Sequence, residues 1–193
     1  MRITYIYKNR GDNIKQQLKL TLDLPQSLNS IYGRNHKFNT TYLKKEGKEY
    51  KEKMIQYIVR EVTEQKWYKV MGRFLYMDEV VYSNRKGRDA DNMKKLQQDC
   101  ITESGIVWED DSWCLPRTQR ILIDKDNPRI ELIITPCDFI GIFDNEQQLK
   151  DFKKHCMGCT RYKNNCSILR QALESRIQPE INDLKCSEFK NIK

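Results

Sequence analysis

Residues 18–24, LKLTLDL, alternate without a break. Leu18, Leu20, Leu22 and Leu24 fall on one face, and Lys19, Thr21 and Asp23 on the other. A period of two predicts a strand with one buried face. RITYIY over 2–7 suits a second strand, turned into the first through NRGDN. Pro25 ends the leucine strand, and PQSLNSIYGRNHKFN over 25–39 is rich in turn formers and reads as a loop. The period then lengthens. Tyr50, Met54, Tyr57, Ile58 and Val62 recur at helical spacing and predict an amphipathic helix over about 44–66, whose lysines and glutamates face solvent. RFLYMDEVVY over 73–82 is aromatic and branched and predicts a strand. TQRILID over 118–124 and RIELIIT over 129–135 alternate on either side of KDNP and predict an antiparallel hairpin.

Between these strands lies RDADNMKKLQQDCITESGIVWEDDSW, residues 88–113. Asp91 or Asn92 can cap a helix with apolar positions Met93, Leu96, Cys100 and Ile101, and Gly105 supplies the stop. After Pro136 two shorter helices are predicted. DNEQQLKDFKKHC is capped by Asp144, with Leu149, Phe152 and Cys156 on one face; SILRQALESRI turns Ile168, Leu169, Ala172, Leu173 and Ile177 inward. The fold class is α+β, a small mixed sheet with helices packed against it. Residues 1–136 make the main domain, and 137–193 a cysteine-rich, helical, metal-stapled extension.

A chain of 193 residues is long enough for one domain with a core and a small appendage. No apolar run reaches the length of a membrane span, and MRITYIYKNRGDN lacks the apolar centre of a signal peptide, so the cytoplasm is the expected compartment. The net charge of +8 is concentrated in residues 1–136, where 25 Lys and Arg face 19 Asp and Glu. That excess suits a polyanion, of which nucleic acid is the commonest, although an ordinary surface charged for solubility accounts for it equally well.

Asp89 and Asp91 project to the same side if Asp89 ends a strand. Two carboxylates so placed repel unless protonated or bridged, and Mg²⁺ accepts such oxygen ligands while keeping several waters. Asp110 and Asp111 lie past the other end of the helix and meet the first pair only if the fold brings them there. Convergence would allow a metal to activate water and stabilise charge on a phosphate. Lys95, four residues after Asp91 and four before Asp99, shares their helical face. It can form a surface ion pair or stand beside a phosphate. By spacing alone, D-x-D is equally a turn and a cap.

GRDADNMKKLQQDCITESGIVWEDDSW resembles the signature of the RusA family of Holliday junction resolvases. That signature has a basic stretch, D-x-D-N, a lysine four residues after the second aspartate, a helix ending near glycine, and an acidic pair. LDLPQSLNSIYGRNHKFNTTYLKKEGKEYKEKM resembles the family's opening, and PRIELIIT its closing strand, so the likeness runs in order over roughly 18–136. The resemblance implies a homodimeric crossover junction endodeoxyribonuclease that cuts four-way DNA junctions with Mg²⁺ or Mn²⁺ and leaves 5′-phosphate and 3′-hydroxyl ends. It implies a metal held by Asp89, Asp91 and Asp111, an essential Lys95, a secondary Asp110, and DNA contacts by Arg85, Lys86 and Arg88. Trp113 and Cys114 depart from the family's usual polar-then-aliphatic residues, and 137–193 has no counterpart in its minimal domain.

That extension reads C-x2-C-x6-C-x19-C through Cys156, Cys159, Cys166 and Cys186. Four thiolates close a tetrahedral zinc site, and C-x2-C is a common half-site. An iron–sulfur cluster is the second choice, His155 can replace one cysteine, and four reduced structural thiols are the plain alternative. Cys100, Cys114 and Cys137 read as core or surface thiols. Two other functions compete with a nuclease. One is a DNA-binding module with a decayed acidic site, which the intact D-x-D, Lys95 and acidic pair argue against. The other is a zinc-stabilised tail that recruits a protein partner, which is compatible with a nuclease.

Overall fold

The computed structural model describes residues 16–25, 31–87, 91–162, 164 and 166–192, with backbone alone at 91 and 92. The strand expected over 2–7 lies outside them, as do Arg88, Asp89 and the side chain of Asp91. The chain divides into two compact units, one of residues 16–71 and 75–136, the other of 72–74 and 137–192.

The first unit is built on a four-stranded sheet. Its strands are β1 (Leu18–Asp23), β4 (Leu75–Ser83), β5 (Cys114–Ile123) and β6 (Arg129–Pro136), in the order β1-β6-β4-β5. β6 runs antiparallel to both β1 and β4, and β4 and β5 are parallel, so the sheet is mixed. The alternation of β1 is preserved: Leu18, Leu20 and Leu22 are buried opposite Ile134, Leu132 and Ile130. Helix α1 (Lys45–Glu64) buries Met54, Ile58 and Val62, and helix α2 (Asp91–Ser104) buries Met93, Leu96, Cys100 and Ile101 in the same core. Gly105, with φ 71°, ends α2 as a left-handed residue just past the helix.

The predicted hairpin of 118–124 with 129–135 does not form, because β4 lies between the two strands. Burial explains the choice. β4 alternates buried and half-buried along its whole length and needs neighbours on both sides, while β5 is exposed from Arg117 to Ile123 and suits an edge. The loop reading of 25–39 also needs correction, since β2 (Tyr32–Asn35) and β3 (Thr40–Leu43) form a separate antiparallel ribbon.

The two edges of the sheet differ. Along β1, Gln65 accepts from Lys19 N–H at 2.9 Å and donates to Lys19 C=O at 2.7 Å; Thr21 N–H donates to Tyr57 Oη at 2.9 Å, and Tyr50 Oη donates to Asp23 C=O at 2.8 Å. Side chains of α1 and its C-cap thus occupy the backbone groups that an edge strand leaves unpaired. β5, the other edge, presents Ile121, Leu122 and Ile123 to solvent at 53%, 40% and 57% exposure.

In the second unit, helix α3 (Glu146–Met157) is capped by Asn145, which accepts from Gln148 N–H at 2.9 Å; the predicted cap, Asp144, instead exchanges hydrogen bonds with the Gln148 side chain. Helix α4 (Ser167–Leu173) stops short of the predicted end, and Ile177, expected inside, is 83% exposed. The chain leaves helical geometry at Ser175, φ 64°. A small hairpin follows, β7 (Ile181–Asn182) and β8 (Lys185–Cys186). Phe143, Leu149, Phe152, Cys156 and Ala172 make the core of this unit. No helix among the described residues is long and apolar enough to cross a membrane.

Candidate active site

The site region is the crossover from β4 through α2 to β5. β4 ends at Ser83, and the chain turns through 84–87 with Arg85 and Lys86 exposed. Ser83 Oγ holds this turn, donating to Arg85 C=O at 2.7 Å. Gly87, with φ 76°, takes the left-handed conformation that the turn requires. Backbone geometry at the tip therefore sends both basic side chains outward.

Helix α2 begins at Asp91, and the two lysines that follow it are used differently. Lys94 is largely buried and its Nζ lies 3.6 Å from Glu79 Oε1. Lys95, one position further around the helix, is exposed. Glu79 is the residue that sequence reasoning missed. It is completely buried on the core-facing phase of β4, in line with Leu75, Met77, Val81 and Ser83. Thr118 Oγ1 on β5 donates to Oε1, while Oε2 has no partner. Gln97, one turn after Lys94, is also fully buried, and neither end of its amide is hydrogen-bonded. In LYMDEVVYS, Glu79 shares its phase with Leu75, Met77 and Val81, and Asp78 with Tyr76, Val80 and Tyr82, so spacing alone does not say which acid is buried. Buried charges and amides left partly unsatisfied are costly and stand out for that reason.

Beside Glu79 the parallel β4–β5 register slips by one residue, with Thr118 opposite Glu79 and Arg120 opposite Val80. The extra residue, Gln119, turns its amide to Asp78 Oδ1 at 2.6 Å, and Arg117 binds both oxygens of Asp78 at 2.7 and 2.6 Å. The Arg117 hydrogen bond, followed by that of Gln119, holds the Asp78 carboxyl below its ordinary range against the cost of burial. Bulges of this kind redirect side chains beside functional sites.

The acidic pair lies at the start of β5. Asp110 caps a 3-10 turn, Asp111–Trp113, with Oδ1 accepting from Ser112 N–H at 3.0 Å. The Ser112 hydroxyl and N–H, with a contribution from the Asp111 carboxyl beside it, lower the pKa of Asp110. Both carboxylates are exposed. The 3-10 turn lies against α2, and the strand that follows it starts beside Leu75, at the beginning of β4. Exposed carboxylate oxygens are the donors that a hard dication takes. Among the described residues, no three His, Cys, Asp or Glu side chains stand together in metal-binding geometry; Asp89 and the Asp91 carboxylate lie outside that set. Cys100, buried in α2, is pushed up to about 12, chiefly by burial, and is an inert core thiol.

Comparison with known proteins gives one family. The description Endodeoxyribonuclease RusA matches residues 24–135, more than half of the chain and nearly all of the first unit. No curated protein matches the chain. The matched segment runs from the end of β1 through the β4–α2–β5 crossover to the end of β6. With that match over this architecture, the chain belongs to the RusA family of endodeoxyribonucleases, nucleases that resolve Holliday junctions.

Proposed function

We propose that the protein is a Mg²⁺-dependent resolvase of four-way DNA junctions, working as a homodimer in the cytoplasm in recombination and repair. Residues 1–136 are its nuclease domain. The observation that carries the reading is the division of labour on α2. Glu79 pairs with Lys94 and leaves Lys95 exposed on α2, the helix that the 3-10 turn after Asp110 lies against. Asp89, Asp91 and Asp111 would hold the metal, whose chemistry there would be the activation of water and the neutralisation of charge on the phosphate. Lys95 stabilises negative charge on the scissile phosphate. Arg85, Lys86 and Arg88 bind the DNA backbone and set its position. Asp110 fixes the turn that presents Asp111. Hydrolysis leaves a 5′-phosphate and a 3′-hydroxyl. The dimer forms along β5, where the sheet edge and its exposed Ile121, Leu122 and Ile123 call for a cover that α1 supplies only to β1.

The test is cleavage of a synthetic four-way junction with Mg²⁺ by the wild type, Asp89→Asn, Asp91→Asn and Lys95→Ala. Paired symmetric cuts by the wild type, and junction binding without cutting by each variant, are the expected results. Full activity in either aspartate variant overturns the site. Binding with no cutting by the wild type at any metal concentration makes the protein a DNA-binding module.

A further inference from the structure

The second unit has a small hydrophobic core, and units of this size usually depend on a metal, a disulfide or a partner for stability. None of its cysteines is in a disulfide. Four of them come from separate pieces of chain: Cys156 from the last turn of α3, Cys159 from the turn after it, Cys166 from the N-cap of α4, and Cys186 from β8. All four line one cavity of about 320 Å³, whose other walls include Tyr162, Leu173 and Phe189.

The backbone is arranged to make this convergence. The 19-residue gap before Cys186 is spanned by α4 and by the β7–β8 hairpin, which turns on Asp183 and Leu184 at φ 46° and 57°. The C-terminal segment then zips onto the C-x2-C turn. Cys159 bridges Asn191, Thr160 N–H donates to Lys190 C=O at 2.8 Å, and Ile192 N–H donates to Gly158 C=O at 3.0 Å. Lys190 N–H also donates to Cys159 Sγ at 3.4 Å, the outer contact that orients a thiolate ligand.

We propose that Cys156, Cys159, Cys166 and Cys186 together bind one Zn²⁺ as four thiolates, a structural site that keeps the second unit folded. Four sulfurs around one cavity match the tetrahedral preference of zinc, and a soft donor set excludes Mg²⁺ and Ca²⁺. No three of these sulfurs stand at ligand spacing, so the site closes by rotation of the thiols into the shared cavity. His155 is not the fourth ligand. Its Nε2 is buried without a partner, but its ring stacks on Phe189 with centroids 4.4 Å apart and does not line the cavity.

The full chain, purified without chelator, is analysed for metal and then reconstituted with Co²⁺. Expected are about one zinc per chain, a tetrahedral four-thiolate Co²⁺ spectrum, and release of the metal as four thiols react with a mercurial. A Cys159→Ser/Cys186→Ser double variant loses the metal, and Cys137→Ser keeps it. Because the double variant can fail to fold, Cys166→His is the second test: it retains metal with a spectrum shifted towards nitrogen ligation. The proposal is overturned by a folded, reconstituted chain that binds no zinc and whose melting ignores chelator, by iron with labile sulfide, or by zinc that survives the double substitution. Junction cleavage is a separate readout, so neither result stands in for the other.

Discussion

Lys94→Met should be far more damaging than Glu79→Gln, although the two residues are partners. Glu79 is 0% exposed, and its charge is balanced by Lys94 at 3.6 Å and by one hydroxyl from Thr118. The Lys94 side chain keeps 20% exposure. Loss of Lys94 leaves a carboxylate with no route to water, and removing one partner of a buried pair costs about 3–5 kcal/mol. Loss of the Glu79 charge leaves a lysine whose ammonium can swing outward, and the glutamine keeps an acceptor for Thr118. That change should cost about 1 kcal/mol, the range of a single hydrogen bond. The double variant should fall near Glu79→Gln, because the uncompensated charge is gone, giving a coupling of about 3–5 kcal/mol, the whole cost of Lys94→Met. Lys94 has other contacts as well, which is why the cycle and not the single variant isolates the pair. Urea unfolding followed by circular dichroism and by tryptophan fluorescence, to which buried Trp108 contributes, reads all four proteins. If Lys94→Met is no worse than Glu79→Gln and the effects add within about 0.5 kcal/mol, the pair is not what seats α2.

On the proposed dimer interface along β5, Leu122→Lys with Ile123→Lys should leave the protein monomeric by light scattering with little change in melting temperature, because these side chains are exposed within one chain. Arg85→Ala with Lys86→Ala should weaken junction binding and flatten its salt dependence by about 0.9 for each phosphate no longer neutralised, measured as log K against log salt. Gly141→Ala should destabilise the second unit. Gly141 sits at φ 59°, where an L-residue costs about 1–2 kcal/mol, and a Cβ there would stand 2.0 Å from Ala172 C=O. Limited proteolysis should cut that unit first. Asp78 has a folded pKa below its unfolded one, so its contribution is present above the unfolded value and is lost as pH falls through the folded one. The pair is partly exposed to solvent, so the effect is held to about 1 kcal/mol. An acid titration of stability for Asp78→Asn, flatter than wild type below the ordinary carboxylate range, would show it.

Elements whose hydrophobic period matched their burial were legible in the sequence. β1, α1 and α2 emerged from spacing with their buried residues named, because a one-sided environment writes a period into the chain. Strand pairing did not emerge. TQRILID and RIELIIT both alternate, and alternation does not say which neighbour a strand takes; the fully alternating burial of β4 decided it. Ile177 shows the converse failure, since an apolar residue at helical spacing means nothing once the helix has ended, at Leu173.

Glu79 lay beyond sequence reasoning for a related reason. In LYMDEVVYS the acidic residues Asp78 and Glu79 are adjacent, and period two assigns one to each face without saying which face is buried. The fold sends Asp78 to Arg117 at the edge strand and Glu79 into the core. The same ambiguity recurs in Lys94 and Lys95, neighbours on a helix, and the two are resolved together. A buried carboxylate selects the lysine whose helical position faces the sheet, and by taking Lys94 it leaves Lys95 on the solvent side. On the proposed role of Lys95 at the phosphate, replacement of Glu79 should act on catalysis indirectly, by releasing Lys94 beside it. The expected result for Glu79→Gln is looser metal dependence and weaker discrimination among branched substrates at near-normal stability. For Lys95→Ala it is loss of cleavage with stability intact. Equal loss of cleavage in both variants would mean that Glu79 touches the reacting groups itself.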